Sequence, residues 1–203
     1  FNHGQCCCAG SRLFAHEKIF DKVSEGIAKI AENIKVGPGM DTSTEMGPLV
    51  SDEQFKKVSG YIESGKSEGG EIVAGGKYDN SNGGHFVHPT VFAKTNADMT
   101  LVKEEIFGPV VCAQPFSDEN LEKIAAEANN TSFGLAASVW TKNISVAHKL
   151  ASKIRAGTVW VNCHNIFDAS LPFGGYKESG WGREMGHEVL KNYTEVKAVT
   201  VSL

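Results

Sequence analysis

An α/β fold with a doubly wound parallel sheet is predicted from three features of the sequence. Apolar segments with strand character alternate with segments of helical period, the connections are long enough for crossover helices, and no repeat or low-complexity stretch interrupts the alternation. Residues 11–16 read as a short strand. Phe20, Val23, Ile27 and Ile30 then recur every three to four positions, the spacing of one helix face. Glycines and prolines mark residues 36–49 as a loop. Ser51-Asp52-Glu53-Gln54, ahead of Phe55, Val58 and Ile62, has the capping-box pattern that starts a second helix. Residues 110–115 read as a strand, followed by a helix carrying Leu121, Ile124 and Ala128. Residues 135–140 and 157–162 read as strands flanking a helix with Ala147, Leu150, Ala151 and Ile154. A helical turn at 186–192 leads to residues 193–201, Tyr-Thr-Glu-Val-Lys-Ala-Val-Thr-Val, a β-branched run with no later strand in the chain to pair with it.

Composition narrows the function. With 41% hydrophobic and 22% charged residues the chain suits a water-exposed globular piece, and no apolar run approaches the ~18 residues of a membrane span. A net charge of −4, with its basic residues scattered, argues against a nucleic-acid surface. Five cysteines, three contiguous and two isolated, do not form a spaced disulfide framework, so a reducing, cytoplasmic setting is expected.

The most informative residues are Cys6-Cys7-Cys8, set between Gly4 and Gly10. A disulfide between adjacent cysteines strains the intervening peptide, and three in a row are not expected to ligate one tetrahedral metal, so no metal site is anticipated. Reactivity and packing remain. Glycines on both sides allow a sharp turn in which one sulfur faces a cleft while two pack.

The stretch Phe1-Asn2-His3-Gly4-Gln5-Cys6-Cys7-Cys8-Ala9-Gly10 resembles the nucleophile motif of the NAD(P)-dependent aldehyde dehydrogenases. Lys103-Glu104-Glu105-Ile106-Phe107-Gly108-Pro109-Val110 resembles that family's cofactor-contacting segment. Pro172-Phe173-Gly174-Gly175-Tyr176-Lys177-Glu178-Ser179-Gly180 resembles its loop beside the substrate tunnel. The resemblance implies Cys7 as the attacking thiol, and Glu105, Phe107 and Gln54 as contacts of the cofactor, NAD or alternatively NADP. It also implies Phe1, Cys6, Cys8, Phe167 and Phe173 around an apolar or aromatic aldehyde. Residues 167–173 with 181–186 are similar to the phenylacetaldehyde-oxidising branch. For Gln54, the capping box offers an explanation without any ligand. His3 and Cys163 are expected to be bystanders.

In that family the dinucleotide-binding turn, an oxyanion-site asparagine and a glutamate base precede the nucleophile. The chain therefore reads as the C-terminal part of a longer enzyme, with residues 1–180 as the catalytic domain and 181–203 as a C-terminal helix and oligomerisation strand. A homodimer or homotetramer follows from the resemblance. The competing expectation is a non-catalytic descendant that keeps the fold without turnover.

Overall fold

The computed structural model describes residues 1–81, 83–117 and 120–203. The chain divides into two compact units, residues 1–131 and 132–203. The boundary expected at 180/181 therefore falls inside the second unit.

The first unit is built on a four-stranded sheet. Its elements run β1 (Arg12–His16), α1 (Glu17–Asn33), α2 (Asp52–Ser67), β2 (Glu71–Ala74), β3 (Tyr78–Asp79), β4 (Phe86–Val87), β5 (Thr90–Ala93), α3 (Thr100–Lys103), β6 (Val110–Phe116) and α4 (Leu121–Asn129). The sheet order is β1-β6-β5-β2, while β3 and β4 form a separate hairpin. β6 runs parallel to β1, with Arg12 opposite Cys112, and parallel to β5, with Thr90 opposite Val110. β2 is antiparallel to β5, so one edge of the otherwise parallel sheet carries a reversed strand.

Side-chain alternation along the sheet explains why helices cover both faces. Phe92, Val110 and Cys112 point to one face and pack with Phe55, Val58 and Ile62 of α2 and Leu101 and Val102 of α3. Val91, Ala93 and Ala113 point to the other, where α1 packs Phe20, Ala28 and Ala31. β2 through β5 have no counterpart in the sequence reading. Their strands are short, and Thr90–Ala93, buried at every position, offers no alternation to see.

Local signals explain the helix boundaries. The Ser51 hydroxyl accepts from Gln54 N–H at 3.2 Å, capping α2 as expected. The imidazole of His16 accepts from Lys18 N–H and starts α1, and Asn120 caps α4. In α1 the buried face is Phe20, Ser24, Ala28 and Ala31, while Ile30 is 66% exposed. The expected stripe is therefore rotated at its C-terminal half, because small alanines let the helix lie close to the sheet.

The second unit holds β7 (Phe133–Gly134), β8 (Ala136–Val139), α5 (Ile144–Lys153), β9 (Thr158–Val161) and β10 (Tyr176–Lys177). β8 and β9 pair in parallel across the α5 crossover, as the sequence pattern indicates. β7 pairs antiparallel with β10. Residues 187–192 form a short 3-10 segment. The strand expected at 193–201 is not formed within the chain. Val196, Val199, Val201 and Leu203 are exposed there, since a strand needs a partner edge and none of this chain's described strands supplies one. Among the described residues, no helix is long and apolar enough to cross a membrane.

The two faces of the first sheet differ in how much they depend on single large side chains. Phe92→Ala is expected to lower unfolding free energy by about 3–5 kcal/mol, since Phe92 is fully buried between α2 and α3. Ile30→Ala, on exposed α1 surface, is expected to shift it by less than about 0.5 kcal/mol. Urea denaturation of both variants measures this, and a comparable loss for Ile30→Ala would contradict the assigned α1 face.

Candidate active site

Parallel pairing of β1 with β6 brings two of the motif segments together in the first unit. The cysteine motif enters β1 and the Glu105–Pro109 segment enters β6, so both lie at the amino ends of adjacent strands. Contact between them is direct. Gly4 has φ +71°, and a Cβ there would collide with the carbonyl of Gly108. Gly108 is confined in turn, because a Cβ on it would run into the Val58 side chain on α2.

The turn itself is built from left-handed backbone. Asn2, His3 and Gly4 have φ of 48°, 58° and 71°. Gly4 N–H donates to Phe1 O and Gln5 N–H to Asn2 O, closing a short 3-10 turn. Two side chains then tie this turn to the loop before α2. The Nε2 of His3 accepts from Gly47 N–H at 3.1 Å, and the Oε1 of Gln5 accepts from Val50 N–H at 3.0 Å. Burial holds the His3 pKa below its ordinary value, which favours the neutral ring that can accept this bond. His3, expected to be a bystander, is thus a structural clamp. A lone histidine four residues before a cysteine carries no sequence signal for that role.

A second tight turn, with Ala9 N–H donating to Cys6 O at 3.0 Å, separates the three thiols by exposure. Cys7 is exposed, Cys6 half-buried and Cys8 buried. One sulfur faces outward, as the sequence predicts. The same turn also brings all three sulfurs within 4.8 Å of one another, with Cys6 and Cys8 at 3.5 Å. Adjacency in sequence therefore does not keep the sulfurs apart, which revises the expectation about shared ligation. Burial, aided by the contact with Cys6, pushes the Cys8 thiol up to about 12. The Cys7 N–H makes no hydrogen bond to any described residue.

The neighbouring segment distinguishes its two carboxylates. Tyr61 on α2 donates its hydroxyl to Glu104 at 2.7 Å, and burial, aided by this bond, lifts the tyrosine pKa to about 12. Glu105 is exposed and has no hydrogen bond or ion pair among the described residues. Phe107 adopts φ +57°, an outlier for an aromatic residue. Gln54 holds it there, donating from Nε2 to Phe107 O at 2.7 Å. Gln54 therefore does not complete the capping box with its side chain. It reaches the segment because α2 lies over β6, a placement local sequence does not reveal.

In the second unit Phe167 and Phe173 meet edge to face, with ring centroids 5.1 Å apart and planes at 80°. Trp160 extends the cluster to Phe167 at 5.6 Å and is fixed by donating from Nε1 to Ile166 O. His164 packs on Trp160 and shares a 2.6 Å hydrogen bond with the Ser138 hydroxyl. Trp160 and His164 escaped the sequence reading because a Trp inside an apolar strand looks like ordinary core. Reciprocal backbone bonds between Phe173 and Glu184 hold the loop that carries Phe173. Phe1 lies in the first unit at the start of the nucleophile turn and is 93% exposed.

The family profile of the aldehyde dehydrogenases matches residues 1–199. The chain belongs to this family. It is 52% identical over all 203 residues to the putative aldehyde dehydrogenase DhaS of Bacillus subtilis, covering 40% of that protein. It is 49% identical to the mitochondrial aldehyde dehydrogenase of Homo sapiens, covering 39% of it. Among solved structures, an NAD+ complex of an aldehyde dehydrogenase from Bacillus cereus superposes with a TM-score of 0.94 at 53% identity. All of this chain and 41% of that one are covered. The chain thus spans about 40% of the length of the relatives it matches. The α/β architecture with its parallel sheet is the aldehyde dehydrogenase fold.

Exposure and protonation together rank the thiols of this aldehyde dehydrogenase chain. A thiol with a pKa near 12 stays protonated until the pH rises through that value, leaving a thiolate fraction of about 10⁻⁴ at pH 8. Iodoacetamide at about pH 8 is expected to modify Cys7 at least about tenfold faster than Cys8 or the buried Cys112. Peptide mapping over a time course checks this; Cys8 labelled as fast as Cys7 would overturn the ranking.

Proposed function

We propose that the chain is the nucleophile-bearing part of a longer enzyme that oxidises an aldehyde to a carboxylic acid with NAD. One observation carries the reading. The exposed sulfur of Cys7 sits in a turn held against the Glu105–Phe107 segment by the side-chain-free contact of Gly4 and Gly108.

The chemistry follows from what an aldehyde requires. Its hydrogen leaves as hydride only from a tetrahedral, electron-rich carbon, so the Cys7 sulfur first adds to the carbonyl to form a thiohemiacetal. The unengaged N–H of Cys7 is available to the developing oxyanion. Loss of hydride leaves a thioester on Cys7, and water then releases the acid with the help of a general base. That base and a second oxyanion donor come from outside this chain. One missing oxyanion donor costs roughly 3–4 kcal/mol of barrier, so residues 1–203 alone would turn over poorly.

NAD, when bound, takes up the hydride. The residues present fit its nicotinamide end. Glu105 is a carboxylate with open acceptor sites suited to a pair of ribose hydroxyls, while Glu104 is occupied by Tyr61. Gln54 fixes Phe107 through its carbonyl and so orients that ring. The Bacillus cereus relative described as an NAD+ complex supports NAD as the cofactor.

In this reading Phe167 and Phe173 supply an aromatic wall for the substrate in the second unit, and within the first unit Phe1, Cys6 and Cys8 flank the nucleophile. The edge-to-face aromatic cluster suits apolar or aromatic aldehydes, including arylacetaldehydes. Five free cysteines suit a reducing compartment. The exposed β-branched residues 193–201 suit a strand completed by a second copy, giving a homodimer or homotetramer.

In the full-length protein, Cys7→Ala is expected to abolish aldehyde oxidation, whereas Cys6→Ala keeps most of it. Retained turnover in Cys7→Ala would refute the assignment. Glu105→Gln is expected to slow single-turnover cofactor reduction by about 100-fold and Glu104→Gln by far less, because only Glu105 is open to the ribose. Equal effects would remove the distinction between the two carboxylates. Deleting residues 193–203 is expected to reduce the mass measured by light scattering to that of a monomer; an unchanged mass would assign assembly elsewhere.

A further inference from the structure

The three-sulfur cluster has a chemistry beyond nucleophilic attack. We propose that Cys6, Cys7 and Cys8 together form a tris-thiolate site for a thiophilic d10 divalent cation of the zinc class, and that the bound ion caps Cys7.

Geometry carries the proposal. The three sulfurs lie within 4.8 Å of one another, and the Cys6–Cys8 pair is at 3.5 Å. Tetrahedral zinc with Zn–S bonds near 2.3 Å requires sulfur–sulfur separations of about 3.8 Å, which falls inside this range. The turn closed by Ala9 N–H on Cys6 O gathers the thiols before any ion arrives, so little chain reorganisation is needed. Among the described residues no other three His, Cys, Asp or Glu side chains converge in this way. The donor set is sulfur alone, which selects soft cations over magnesium or calcium.

Exposure decides how the ion reaches the site. Cys7 faces solvent, Cys6 is half-buried and Cys8 forms the floor. The ion therefore arrives from the Cys7 side and keeps its fourth position open to water, as in three-ligand zinc sites. Three S–H bonds break and three metal–sulfur bonds form. The three protons pass to solvent and the ion keeps its oxidation state, so no oxidant or reductant takes part. The Cys7 sulfur, with a lone pair committed to the metal, is then withdrawn from attack on a carbonyl. Binding depends only on the sulfur cluster, whereas inhibition rests on the reading of Cys7 as nucleophile.

Titration of the reduced full-length protein with Cd²⁺ alone, followed by ultraviolet sulfur-to-cadmium charge-transfer absorption, tests the site. Saturation is expected at one strongly bound Cd²⁺ per chain. Cys6→Ser and Cys7→Ser are each expected to weaken that binding by about tenfold or more. Cys163→Ser is expected to leave it unchanged. The half-buried and exposed positions of Cys6 and Cys7 make these two variants informative even if Cys8→Ser fails to fold. Absence of the band at stoichiometric Cd²⁺, or full binding retained in either variant, would overturn the site. In the Cd²⁺-loaded protein, iodoacetamide labelling of Cys7 is expected to slow by about tenfold or more; an unchanged rate would overturn the capping. Aldehyde oxidation retained in Cys7→Ala, alongside intact tris-thiolate binding in the unmodified protein, would instead refute the nucleophile reading and leave the metal site standing.

Discussion

Parallel pairing of β1 with β6 is the constraint on which the site depends. About a hundred residues separate the cysteine motif from the Glu105–Pro109 segment, and only the register of Arg12 opposite Cys112 brings their entrances together. The result departs from the usual location in α/β sheets, where ligands lie beyond the carboxyl ends of the strands. Here the motif segments enter at the amino ends. The cysteine turn approaches the Gly108 carbonyl without a side chain between them, which explains glycine at position 4, while glycine at 108 makes room for Val58 of α2. A packed interface of this kind positions a sulfur more rigidly than a free loop could, and positioning is what a thiol nucleophile needs most.

A second layer of support comes from α2. The loop leading into it is tied to the cysteine motif through the bonds of His3 and Gln5 to residues 47 and 50, and its own Gln54 grips Phe107. Val58, from the same helix, closes over Gly108, and Tyr61 occupies Glu104. One helix and its leading loop thus hold both the cysteine turn and the Glu104–Gly108 segment. Its own rigidity derives from the burial of Phe55, Val58 and Ile62 against the sheet, so core packing and site geometry are the same interaction seen from two ends.

The cysteine turn shows how one local conformation can serve two chemistries. It exposes one sulfur, buries another and leaves the third between them, which grades the thiols by their access to solvent. Because that grading is achieved within a few ångströms, it also creates a compact set of soft donors. In the proposed reading, a nucleophile flanked by two further thiols is also a ligand set for a thiophilic ion.

Much of the architecture was legible in the sequence because it rests on local signals. Helical spacing placed α1, α2, α4 and α5, the Ser51 cap marked a start, and the glycines around Cys6-Cys7-Cys8 foretold a turn that singles out one thiol. The short strands β2 to β5 were not legible, since strands of four or fewer residues are too short to show a periodicity. Nor was the face of α1 beyond Ile27, where alanines rather than the larger Ile30 meet the sheet. The sequence by itself determined the fold class and the family motifs that enter β1 and β6. Tertiary structure alone decided that Tyr61 takes Glu104 and leaves Glu105 open, that Gln54 turns away from its cap to Phe107, that His3 is a clamp, and that three consecutive sulfurs converge. Each of those outcomes depends on a contact or a backbone angle set by distant packing, and residue identity and spacing carry no record of it.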